Sequence, residues 1–231
     1  MSGPTSTARR LYLIRHGRVD FGSRNFRTSP RGRQWDPPLD ERGRQQATRL
    51  AARLVLSERP PAVYASPFTR CIQTLEPYVE RTGLSPTVDE EVGEVFVGAW
   101  EGLSFEEIVS EDEELARMFR EQEAMFSLAP GGETGEQLRR RVSAAVEGIL
   151  GRHTQEDVLV VTHGGVINAY LGHLLGLEQD MFFLPDNASI NSVAVEGETR
   201  RVRFLNDVRH LTDPQVFEPS RAPAARGEPA D

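Results

Sequence analysis

Arg9-Arg10-Leu11-Tyr12-Leu13-Ile14-Arg15-His16-Gly17 is the stretch from which the rest of the chain is read. Leu11 to Ile14 is a short apolar run of strand-favouring side chains, which predicts a buried strand. The run stops at a polar triplet. A strand that crosses a core and ends this way delivers its last side chains to the carboxyl edge of a sheet, where open α/β sheets bind ligands. Arg15 offers a permanent charge and a planar fork of donors suited to phosphate. His16 can act as a nucleophile or carry a proton near neutral pH. Gly17 lets the backbone turn tightly beside a ligand. By itself the triplet is weak and reads first as a strand end with a hydrogen-bonded histidine and a surface arginine.

A second stretch repeats the pattern. Val158-Leu159-Val160-Val161-Thr162 is another buried-strand run, and it ends in His163-Gly164-Gly165. If the two strands are neighbours in one parallel sheet, the two imidazoles face each other across one pocket.

Composition sets bounds on the rest. The 231 residues show no internal linker and predict one domain over residues 9–212, large enough for a sizeable core, with flexible tails at 1–8 and 213–231. A net charge of -8 argues against a general nucleic-acid binder and against attraction to anionic membranes. A phosphate site must therefore be local, a few arginines focused in a cleft. Cys71 is the only cysteine, which rules out an intrachain disulfide and fits a reducing compartment. No run is apolar enough to span a bilayer and no signal-peptide core precedes the first strand, so a cytoplasmic protein is expected.

In chain order, residues 18–38 carry Arg18, Arg24, Arg27, Arg31 and Arg33 without periodicity and read as a long loop. Asp40 caps a helix whose stripe includes Ala47, Leu50, Ala51 and Leu54. Ala62–Ala65 is a strand, and a helix begins at Ser66-Pro67, runs to about Arg81 and stops at Gly83. Arg70 lies in the first turn of that helix, where free N–H groups favour an anion, although a surface arginine would look the same. Cys71 reads as a small packed residue. A short strand at Pro86–Val88 and a helix from Phe105 to about Phe126 follow, the latter with an acidic face that reads as solvated. Another helix begins at Thr134 or at the glycines before it and stops at Gly151, and one from about Val166 to Leu175 follows the second strand. His173 reads as packed or capped. Ile190–Val195 and Arg201–Leu205 alternate like paired strands. Strands alternating with helices predict an α/β fold with a mainly parallel sheet covered on both faces.

Four ordered motifs sharpen this reading. They are Arg15-His16-Gly17; Ser66-Pro67-Phe68-Thr69-Arg70 followed by Gln73-Thr74; Glu94 ahead of Gly98-Ala99-Trp100-Glu101-Gly102; and Thr162-His163-Gly164-Gly165. Pro130-Gly131-Gly132-Glu133 adds a fifth stretch. In this set, spanning residues 10 to about 210, the chain resembles the histidine phosphatase superfamily, in the branch that contains phosphoglycerate mutases. The resemblance implies a three-layer αβα sandwich with an edge hairpin. It implies that His16 is the nucleophile, that Arg15, Arg70, His163 and Gly164 bind the phosphoryl oxygens, and that Glu94 is the acid and base. Dense negative charge on a bound phosphate would raise the pKa of His163. Glu101 is the rival acid, with a structural role suggested by its place in Trp-Glu-Gly. No cofactor and no metal are expected, and the partner is a small phosphorylated substrate. A monomer and a homodimer are both open.

The sequence departs from the family after His16. Arg18, Val19 and Gly22 stand where many members have an acidic residue, a hydroxyl and an asparagine. Asn25 or Arg18 are candidate replacements. The basic loop points either to a substrate with more charge than one phosphate or to a surface loop. Phosphomonoester hydrolysis is the expected reaction. The alternatives are mutase-type transfer, whose characteristic insertions are not evident, and a catalytically inactive binding relative.

Overall fold

The computed structural model describes residues 8–56, 61–110, 115, 117 and 125–211. Its frame is a six-stranded sheet in the order β5-β4-β6-β1-β7-β8. The strands are β1 (Arg9–Arg15), β4 (Ala62–Ala65), β5 (Thr87–Val88), β6 (Val158–Thr162), β7 (Ile190–Glu196) and β8 (Thr199–Asp207). β5, β4, β6 and β1 run parallel, while β7 and β8 form the antiparallel edge hairpin.

The strand sequences sort into two cores because successive side chains leave a strand on opposite faces. Leu11, Leu13, Val158, Val160, Val193 and Val195 face one way. They pack against α4 (Gly135–Arg152) and α5 (Gly164–Leu175) through Leu138, Val142, Val146, Ile167 and Tyr170. Ile14, Val63, Ala65, Leu159, Val161 and Ile190 face the other way, onto α1 (Glu41–Leu54) and α2 (Thr69–Thr82). Every residue of β6 is buried, as a central parallel strand covered on both faces requires. Each fully buried leucine-sized side chain contributes about 1.5–3 kcal/mol. The result is the expected αβα arrangement.

Helix ends follow local chemistry. The Asp40 carboxylate accepts from the Gly43 N–H at 2.7 Å, so α1 starts where its cap predicts. α4 opens with a capping box between Thr134 and Gln137 and runs to Arg152, past the stop expected at Gly151. α2 begins at Thr69 instead of Ser66, and Gly83 ends it at φ 68°. α5 begins directly at Gly164, ahead of the expected Val166.

Three expectations are corrected. Residues 18–38 are not a structureless loop, because Phe26–Ser29 (β2) and Gly32–Trp35 (β3) pair as a second, two-stranded sheet. Its arginines tie it down. Arg27 pairs with Glu90 at 2.6 Å, Arg31 donates to the Glu90 carbonyl at 2.6 Å, and Arg33 lies 3.8 Å from the Phe26 ring centroid. His173 is exposed in the last turn of α5, beside backbone carbonyls that favour a basic group, and is not packed. The acidic helix expected from Phe105 to Phe126 begins as α3 (Phe105–Val109), and Met125–Leu128 is a separate 3-10 turn. Most of the stretch between them lies outside the described residues, as do residues 1–7 and 212–231.

Candidate active site

Register brings three strand ends to one level. Arg15 on β1 stands opposite Thr162 on β6, and Ala65 on β4 stands opposite Val161. The His16 N–H donates to the Thr162 carbonyl at 3.0 Å, and the Ser66 N–H donates to the Val161 carbonyl at 2.9 Å. The side chains of His16, Ser66 and His163 therefore emerge together at the carboxyl edge. The two imidazole centroids are 5.2 Å apart.

The backbone behind His16 is held closely. A Cβ on Gly17 would sit 2.8 Å from the Gly43 carbonyl oxygen on α1, so only glycine allows this approach. The Gly17 N–H donates to Thr74 Oγ1 at 2.9 Å, and that hydroxyl donates onward to the Arg70 carbonyl at 2.7 Å. His16 Nδ1 lies 2.8 Å from the Gly17 carbonyl. A carbonyl can only accept, so Nδ1 carries the proton and Nε2 keeps its lone pair. Burial, then the charges of Arg70 and Arg15, hold the His16 pKa well below 6.5. The ring is neutral at physiological pH, the form that can attack.

His163 is fully buried, and its Nε2 lies 2.7 Å from Ser66 Oγ. Its Nδ1 faces Glu94 Oε2 at 3.9 Å. Burial, then Arg70, His16 and Arg15, push its pKa well below 6.5. The Phe68 ring meets it edge-on at 4.8 Å. Cys71 is packed beneath, its Sγ 3.5 Å from His163 Nε2, and burial pushes its thiol up to about 12. It is a protonated core residue rather than a nucleophile.

Arg70 is fixed from the β3 side. It donates to the Trp35 carbonyl at 3.2 Å, lies 3.6 Å from Asp36, and stacks 4.3 Å from the Phe68 centroid. Asp36 also caps α2, accepting from the Thr69 N–H at 2.9 Å and its hydroxyl at 2.8 Å. Arg15 donates to the Pro185 carbonyl. Gly164 opens α5, so its helix N-terminus faces the same cleft.

Glu94 has a pKa raised above 4.5 by burial, against the opposing pull of Arg70, the Val95 N–H and Arg15. Gly165 makes room for it, since a Cβ there would meet Glu94 Oε1 at 2.6 Å. Its turn is clamped by Arg141, which donates to the Glu91 carbonyl at 2.6 Å and the Gly93 carbonyl at 3.1 Å while forking onto Glu133. Glu101 is also raised by burial, but both of its oxygens accept backbone N–H groups, from Trp35 at 2.8 Å and Val97 at 3.1 Å.

Arg15, His16, Arg70, Glu94 and Gly164 thus border one cleft of about 390 Å³, with the fully buried His163 ring 5.2 Å from that of His16. Arg18 and Asn25 do not reach it. Arg18 pairs with Asp40 at 3.4 Å, and Asn25 is exposed, its carbonyl accepting from the Asp36 N–H. Val19 is buried and lines the cleft, so no hydroxyl stands there. The amide at the rim is Asn187, whose side chain donates to the His16 carbonyl at 3.2 Å. Sequence reasoning missed Asp36, Arg141 and Asn187, and it gave Ser66 no role. Ser66 alone carried a signal, through its place in the motif of Arg70. Among the described residues no group of three or more His, Cys, Asp or Glu side chains is arranged to hold a metal ion.

Comparison with known proteins places the chain. It is 32% identical over 204 residues to a metal-independent phosphoserine phosphatase of Arabidopsis thaliana, covering 87% of this chain and 83% of that protein. The solved structure of Bacillus stearothermophilus YhfR superposes with a TM-score of 0.75 at 32% identity, over 88% of this chain and 99% of that one. A mycobacterial glucosyl-3-phosphoglycerate phosphatase in complex with VO3 gives a TM-score of 0.73 at 28% identity, over 86% and 99%. The family model of the histidine phosphatase superfamily, branch 1, matches residues 11–208, and the chain belongs to that family.

Proposed function

We propose that this protein hydrolyses phosphomonoesters of small metabolites through a phosphohistidine on His16. Its nearest chemistry is that of the phosphatases named among its relatives. The neutral Nε2 of His16 attacks phosphorus in line with the leaving oxygen. Arg15, Arg70 and the N-terminus of α5 gather charge on the equatorial oxygens. His163 joins them as the incoming dianion reverses the field that kept it neutral. The oxygen–phosphorus bond breaks, and Glu94 gives its proton to the departing alcohol. Glu94 then takes a proton from water, the water oxygen attacks phosphorus, and the nitrogen–phosphorus bond breaks. Free phosphate and neutral His16 remain.

The observation that carries this reading is the His16 tautomer. Nδ1 is held on the Gly17 carbonyl 2.8 Å away, in a site whose arginines keep the ring neutral. All the groups required are side chains of this chain, so the reading needs no cofactor. The raised carboxyl of Glu94, beside a Glu101 tied to backbone, supports Glu94 as the acid. A cytoplasmic setting fits the single buried thiol. The test is phosphate release from p-nitrophenyl phosphate with EDTA present. The wild type should turn over and His16→Ala should lose several orders of magnitude. Activity that vanishes in EDTA and returns with a divalent ion would contradict the reading.

A further inference from the structure

The charged side chains in the lining are Arg15, Arg70, Glu94 and Glu101. Most of the remaining lining is apolar, with Phe21, Trp35, Trp100, Leu103, Ile108 and Met125 facing the same space. Phe21 is 68% exposed and Leu103 is 45% exposed, so two large apolar side chains stand at the rim of a site that otherwise binds charge. Exposed apolar groups gathered in a concave site mark what that site covers. The Trp35 indole N–H is engaged by the Ser23 carbonyl at 2.9 Å, which leaves the ring itself as the surface offered, with Phe21 6.2 Å away at 32°. About 390 Å³ exceeds what a phosphoryl group fills and lies in the range of small organic ligands.

The cations argue the same way. Arg18, Arg24, Arg27, Arg31 and Arg33 were the candidates for holding a second anionic group of a substrate. Arg18, Arg27 and Arg31 pair with Asp40, Glu90 and Glu91, Arg33 stacks on Phe26, Arg24 is exposed, and none of the five lines the cleft. Among the described lining residues the guanidiniums are Arg15 and Arg70, both at the phosphoryl end.

We propose that this outer subsite takes the alcohol half of the substrate, and that the substrates are phosphomonoesters of hydrophobic alcohols, with an aryl or extended alkyl body. This rests on reading the inner end as a phosphomonoesterase site. For a small zwitterionic alcohol such as serine, the described lining offers its carboxylate no guanidinium beyond Arg15 and Arg70, and the Glu101 carboxylate is already tied to the Trp35 and Val97 N–H groups. An apolar body would cover the rim and displace water from it.

Binding can be read without turnover. Methyl-, butyl- and hexylphosphonate present the same dianion with an increasing apolar tail, and their affinities can be compared by titration calorimetry with that of O-phosphoserine. Affinity should rise about two- to fourfold per methylene, and butylphosphonate should outcompete O-phosphoserine. Phe21→Ser and Leu103→Ser, both at exposed positions, should shrink the hexyl-to-methyl ratio. A flat or falling series, or tighter binding of O-phosphoserine, would overturn the proposal. Hydrolysis of the matching alkyl phosphates separates the two readings. Tight chain-length-dependent binding with no hydrolysis would sink the phosphatase reading, and with it the substrate assignment, while the apolar subsite for the body of an anionic ligand would stand. Hydrolysis that ignores chain length would do the reverse.

Discussion

Glu94 and Glu101 both lie at the cleft with carboxyls raised by burial, and their hydrogen bonds separate them. Glu101 staples Trp35 to Val97, whereas Glu94 faces His163. Glu94→Gln keeps the shape but cannot donate a carboxyl proton. On the first turnover it should slow an alkyl phosphate by about a hundred- to ten-thousand-fold, and p-nitrophenyl phosphate far less, because that leaving group departs without a proton. Glu101→Gln should slow both esters alike. Rapid-quench kinetics decide it, and equal slowing of both esters by Glu94→Gln, with selective slowing of the alkyl ester by Glu101→Gln, would reverse the assignment. The buried imidazoles make a second prediction. Folded His16 and His163 have pKa values held well below 6.5, so below pH 6.5 the unfolded chain takes up protons that the folded chain refuses. Stability therefore falls as pH drops from 6.5 towards the folded values, and these groups leave it level above 6.5. The raised Glu94 works in the opposite sense, binding its proton more tightly when folded, but it is common to both proteins compared. His163→Gln should make the acid-side loss of stability shallower by up to about 1.4 kcal/mol per pH unit. Urea unfolding at pH 6.5, 5.75 and 5 checks this, and an unchanged slope would contradict it. The residues of the motifs were legible in the sequence because chemistry fixes their type. Asp36 and Arg141 were not, because a carboxylate and a guanidinium that support others look like any surface charge until their partners are known.

At the scale of elements, legibility followed how local the determining interaction is. Asp40 capping its own helix and Gly83 ending α2 are settled within a few residues, and both were readable. The β2–β3 hairpin was missed because its stability is not local. Its turn, Ser29-Pro30-Arg31-Gly32, is typical hairpin chemistry, but the arginines around it read as solvent charge, whereas Arg27 and Arg31 pin it to the Glu90 turn. The hairpin matters because its exit carries Asp36, which joins β3 to the start of α2 and to Arg70. Asp36→Ala should cost about 1–3 kcal/mol, since it removes a cap and leaves a buried guanidinium less well paired. It should also weaken inhibition by inorganic phosphate, because Arg70 loses its anchor. Urea unfolding and product inhibition measure the two effects. Loss of stability with unchanged phosphate affinity would confine Asp36 to capping.

Across the whole molecule, the alternation of Leu11, Leu13, Val158 and Val160 against Ile14, Leu159 and Val161 builds two cores on one sheet and so fixes the register that sets the two histidines side by side. Runs of buried residues announced the strands, but a run buried on both faces does not say which strand is its neighbour. The order β5-β4-β6-β1-β7-β8 therefore emerged only in three dimensions. Leu13→Ala, in the middle of β1, should cost about 2–5 kcal/mol in urea unfolding. The molecule carries a net charge of -8 yet brings Arg15 and Arg70 together at one strand edge, so the proposed anion site depends on local positive charge in the cleft and not on the overall charge. Everything proposed for that cleft converges on a covalent phosphate at His16. The most direct measurement is to mix enzyme with excess labelled p-nitrophenyl phosphate, quench within the first turnover at alkaline pH, and map the labelled peptide by mass spectrometry. The account predicts acid-labile phosphate on His16 that disappears in His16→Ala. Label on His163, or turnover with no labelled histidine at any quench time, would contradict it.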